Sequence, residues 1–81
     1  MNITIKELAE KIQAVEPKNK MSACRDTAKT YQRLIWYAGQ IKKIGGNIKK
    51  EEDYLIFQHA GGGGKIYVDS LTEKILLPYL T

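Results

Sequence analysis

The chain of 81 residues has little from which covalent or metal chemistry could be built: one cysteine, Cys24, and one histidine, His59. A lone cysteine excludes an internal disulfide. Cys24 and His59 also lack the paired spacing that a zinc site requires. No nucleophile, base and orienting group can be assembled from neighbouring motifs, so no catalytic residue, metal or cofactor is expected. No apolar run approaches the roughly 20 residues of a spanning helix. The first residues lack the basic, then apolar, then small-residue order of a signal peptide, which points to the cytoplasm. Only two prolines, Pro17 and Pro78, interrupt the chain.

Acidic residues are missing from one stretch. Between Asp26 and Glu51 there is none, while Lys29, Arg33, Lys42, Lys43, Lys49 and Lys50 fall there, within a net charge of +4. Such a basic middle is suited to phosphates through counterion release, although a solvated helix face reads the same way. The apolar fraction of 43% is enough for one core. A chain this short buries only about 60% of its unfolded surface, so a single domain over 1–81 is expected.

Thr4 and Glu7 have capping-box spacing, and Ile5, Leu8, Ala9 and Ile12 follow at helical intervals. Pro17 and Asn19 end that helix, leaving 16–21 as a polar connector. Ser22 is the next N-cap candidate, and a second helix is expected from there to Ile44, with Gly39 as a place where it could divide. Ala28, Tyr31, Ile35 and Ala38 form its apolar stripe, with Leu34 and Ile41 at the margin. Arg25, Lys29, Gln32, Trp36, Gln40 and Lys43 form the opposite one. Either the helix is buried nearly all round with Trp36 in the core, or this stripe contacts a partner.

After Gly45-Gly46 the pattern turns to short strands, 47–49, 54–58 and 65–68, of which two should pair. The glycine-rich 59–64 between them is expected to be a mobile hairpin tip. Four glycines before Lys65 invite comparison with a phosphate-binding loop, but Ile66 stands where that loop needs Ser or Thr. His59 is expected in solvent on the hairpin, and Cys24 partly buried near a helix start. Glu51, Glu52 and Asp53 read as a turn, or as an acidic edge that repels phosphate. Ser70 and Glu73 form a second capping box, opening a short helix with Leu71, Ile75 and Leu76 before Pro78.

The segment from Ile3 to Ile12 resembles the first helix of helix-turn-helix domains in the excisionase and MerR-like winged-helix group. Ser22-Ala-Cys-Arg-Asp-Thr-Ala28 is similar to the start of their second helix, and Tyr37-Ala-Gly-Gln-Ile-Lys42 to its exit. Asp53–Phe57, the glycine loop and Lys65–Leu76 resemble wing strands and a closing helix. The connector is longer than that group's tight turn, and the second helix is longer too. The resemblance implies an α+β, winged-helix-like domain with two N-terminal helices, a β-hairpin wing and a short C-terminal helix. It also implies a regulatory or recombination-directing, DNA-binding protein of a phage or other mobile element.

On that reading Arg25, Lys29, Gln32 and Arg33 enter the major groove, Lys42, Lys43, Lys49 and Lys50 hold phosphates, and Lys65 belongs to a wing that approaches the minor groove. A weaker likeness, through Ile56-Phe-Gln-His59 and the glycines, is to HicA-type interferase toxins. Tyr54 and Leu55 stand where their catalytic histidine would be, so ribonuclease activity does not carry over. A small phage-encoded inhibitor that binds a host protein complex, of anti-defence or anti-CRISPR type, fits the same size and missing chemistry.

Overall fold

The computed structural model describes residues 3–80. Its elements are α1 (Ile5–Val15), α2 (Met21–Lys43), β1 (Asn47–Glu51), β2 (Tyr54–His59), β3 (Gly62–Tyr67) and α3 (Ser70–Leu80). The protein is α+β, with two N-terminal helices, an antiparallel sheet containing the expected hairpin, and a C-terminal helix. All three strands pair, in the order β1-β2-β3.

The first helix starts where the capping spacing placed it: Thr4 Oγ1 accepts from the Glu7 N–H at 3.1 Å, replacing a partner that a helix start otherwise lacks. Leu8, Ala9 and Ile12 point from α1 into the core. Gln13 ties down the connector, donating to the Pro17 carbonyl at 3.0 Å and accepting from Cys24 Sγ at 3.2 Å. Cys24 is thereby fully buried rather than partly so.

Ser22 does not cap the second helix. The helix begins at Met21, with its N-cap at Lys20, two residues before Ser22, and no side chain bonded there. The burial of Cys24, Ala28, Tyr31, Ile35, Ala38 and Ile41 explains why tertiary packing outweighs the missing cap. Gly39 does not divide α2, which runs unbroken for 23 residues. Its end is closed by the Gly46 N–H on the Ile41 carbonyl at 2.8 Å and the Gly45 N–H on the Lys42 carbonyl at 3.2 Å. That closure needs a left-handed residue, supplied by Gly45 at φ 76°.

Leu55 and Phe57 of β2 face the helices and are buried, with Tyr37 edge-on to Phe57 at 5.2 Å. Glu52 and Asp53 make the two-residue turn between β1 and β2, Glu52 at φ 53°. The expectation of a shapeless glycine tip is corrected: Gly62, Gly63 and Gly64 belong to β3, opposite His59, Gln58 and Phe57. The reason is space, because a β-carbon on Gly63 would overlap the Phe57 carbonyl oxygen. Only Ala60 and Gly61 form the tip. His59 is half-buried, its Nδ1 accepting from the Gly61 N–H at 3.2 Å.

In α3 the cap is Asp69 rather than Ser70: the Thr72 N–H donates to Asp69 Oδ1 at 2.7 Å. The helix also continues through Pro78 to Leu80. Leu76 and Leu80 are completely buried, which holds the last turn in line although proline removes one of its donors.

Candidate nucleic-acid interface

Burial on α2 divides its surface into two faces. The apolar stripe packs inward, while Arg25, Lys29, Arg33, Trp36 and Lys43 are all exposed along the other side. From Arg25 to Lys43 that face extends about 27 Å at roughly 1.5 Å per residue. Trp36 is 66% exposed, which excludes the alternative in which it belongs to the core. Ile3, Gln32, Arg33, Ile35 and Trp36 line a shallow groove along its side.

Among the described residues the ion pairs are Lys49–Glu51 and Lys50–Glu73. The cations of α2, namely Arg25, Lys29, Arg33, Lys42 and Lys43, therefore have no ion-pair partner there. Gly46 abuts both Ile41 and the Gln58 carbonyl, where an added β-carbon would lie 2.6 and 2.8 Å away. The register of Asn47 with Gln58, and of Gln58 with Gly63, then sets the Lys42–Lys43 end of α2 beside the tip of the β2–β3 hairpin.

Not every residue expected at the interface joins this face. Gln32 is half-buried and donates to the Ile3 carbonyl at 2.9 Å, which fixes the segment before α1. Lys50 lies on the inner face of the sheet opposite Leu55, its ammonium bonded to Glu73 of α3 and its side chain only 29% exposed. Lys49 and Lys65 flank Ile56 on the outer face of the sheet. The expected set thus falls into a helix group, a sheet group and two residues with internal partners.

Tyr54 and Tyr67 also lie on the outer sheet face, and nothing in the sequence marked them as interfacial. Alternation along Lys65-Ile66-Tyr67 and Tyr54-Leu55-Ile56 was the one local signal, but which alternate members face solvent depends on the register.

Among the described residues no three His, Cys, Asp or Glu side chains cluster as a metal-binding group. No helix there is long and apolar enough to cross a membrane. Burial raises the Tyr31 phenol above its ordinary value, opposed by its hydrogen bond to Thr72. Hydrogen bonds from the Thr72 backbone and hydroxyl lower the Asp69 carboxylate. Both groups belong to the α2–α3 packing and neither lies on the cationic face. No family model matches this sequence, and no match is found among curated proteins or among solved structures.

Proposed function

We propose that this chain is a non-catalytic DNA-binding protein whose principal binding surface is the exposed face of α2, with the adjoining β2–β3 hairpin as a wing. One observation carries the reading: Arg25, Lys29, Arg33 and Lys43 run along one helix face around an exposed Trp36, with no ion pair among the described residues to neutralise them. Arginine and lysine are suited both to phosphates and to guanine edges in the major groove. Gln40, half-buried on the same side, adds an amide that can read adenine. Lys42 and Lys43 reach phosphates near the glycine turn, where the absence of side chains permits close approach to the backbone of a duplex. The excisionase-like order of elements suggests a regulatory or recombination-directing role in a mobile element.

The test is fluorescence anisotropy on labelled duplex DNA across a salt series. Affinity should fall steeply with salt, and the Lys42→Ala, Lys43→Ala double variant should lower the log–log slope by about 2, near 0.9 for each phosphate that is no longer neutralised. Absence of duplex binding by the folded wild type at low salt would overturn the proposal. So would equal binding by that variant.

Trp36 and the groove beside it favour a second reading, because tryptophan and arginine are the commonest anchors of protein interfaces. On that reading the same face binds a host protein complex as an inhibitor. A stoichiometric partner captured through Trp36, together with no shift of duplex DNA, would select it.

A further inference from the structure

We infer that the outer face of the sheet is a second, independent binding surface, built to take single-stranded nucleic acid by stacking its bases on tyrosines beside a row that carries two lysines. The register places three cross-strand rows on this face: Asn47–Gln58–Gly63, Lys49–Ile56–Lys65 and Glu51–Tyr54–Tyr67. Successive residues of a strand point to opposite faces, and Leu55 and Phe57 occupy the helix side, so these rows face solvent.

The middle row sets an apolar side chain between two cations. Next to it, Tyr54 and Tyr67 meet edge to face at 5.9 Å, and Lys65 Nζ stands 4.3 Å from the centre of the Tyr54 ring. Tyr67 is 62% exposed, two residues along β3 from Lys65. At the far end Gly63 presents no side chain, leaving the amides of Asn47 and Gln58 accessible. Glu51 limits the platform on one side, 4.0 Å from Lys49.

Aromatic faces flanked by ammonium groups match the two parts of an unpaired strand, since every base has a π-face and every linkage a negative charge. A duplex hides its base faces and cannot use the tyrosines this way. The surface therefore discriminates between strand states, whereas the α2 face answers to phosphate spacing and groove edges.

The experiment measures anisotropy of labelled oligothymidylate and oligouridylate of about 12 nucleotides, within the span of such platforms, beside the labelled duplex. Tyr67→Ala should weaken single-strand binding by at least about fivefold, the lower end of what removing one stack costs. Tyr67→Phe should restore it, and Lys65→Ala should lower the salt slope by about 0.7. Thermal unfolding of each variant establishes that the fold persists.

Arg25→Ala, Arg33→Ala should leave single-strand binding within about twofold, so this inference and the duplex proposal can fail separately. Comparison of the two oligonucleotides distinguishes DNA from RNA as the source of the strand. Failure of the wild type to bind either one would overturn the inference, as would unchanged binding by Tyr67→Ala. Sedimentation showing self-association that Tyr67→Ala abolishes, without oligonucleotide binding, would also overturn it.

Discussion

Tyr31 and Thr72 share a buried hydrogen bond of 3.0 Å between α2 and α3. Tyr31→Phe removes that bond while the Thr72 hydroxyl keeps its hydrogen bond to Asp69, and should cost about 0.5 to 1.5 kcal/mol in urea unfolding. Pairing it with Thr72→Val should deepen the loss, because that change also removes the hydroxyl's hydrogen bond to Asp69. Burial holds the Tyr31 phenol above its ordinary value, so its contribution is present below the unfolded value and lost as pH rises through the folded one. Asp69 has the opposite sign. Its carboxylate is lowered by the Thr72 hydrogen bonds, so its contribution is complete above about pH 3.9, the unfolded value, and is lost as pH falls through the folded one. Asp69→Asn keeps an acceptor at the cap but removes the titration. Unfolding measured from about pH 5 down to about pH 2 should therefore show a shallower acid limb in that variant.

Glycines of different elements make opposite predictions at the scale of helix and strand. A β-carbon on Gly39 would meet nothing within 4 Å on α2. Gly39→Ala should therefore stabilise the protein by about 1 kcal/mol, the difference in helix propensity. Gly63 is opposed by the Phe57 carbonyl, so Gly63→Ala must push β3 away from β2 and should lower the melting temperature. A Gly63→Ala protein melting at or above the wild-type temperature would show that the glycine run is a loop rather than a paired strand. Most element positions were legible in the sequence. The Thr4 cap, the helical spacing of Leu8 and Ile12, and the turn at Glu52-Asp53 are local signals that act within a few residues. Local reasoning failed where distant packing outweighed it: Ser22 yields to a start set by the burial of Cys24, and Pro78 remains helical because Leu80 is held in the core.

At the scale of the whole molecule, one apolar cluster joins α1, α2, α3 and β2, and the surfaces that it leaves uncovered include the exposed side of α2 and the outside of the sheet. Trp36 is the only tryptophan and reports on the first of these. Its fluorescence should be strongly quenched by acrylamide in the free protein, and duplex DNA should protect it if the α2 face is where the duplex binds. Full protection in the free protein would place the indole inside the core and contradict the exposed face.

The basic stretch between Asp26 and Glu51, and the amphipathic order of α2, are properties of the sequence alone, because helical periodicity assigns faces without reference to any other element. The distribution of the remaining lysines was decided by the tertiary structure. Lys49 and Lys50 are neighbours of identical chemistry, yet one faces solvent on the sheet and the other reaches Glu73. That parity follows from the register of β1 on β2, and a shift of one residue would exchange them. Register in turn depends on Phe57 and Leu55 being buried against α2, a packing of segments far apart in the chain that no local pattern contains.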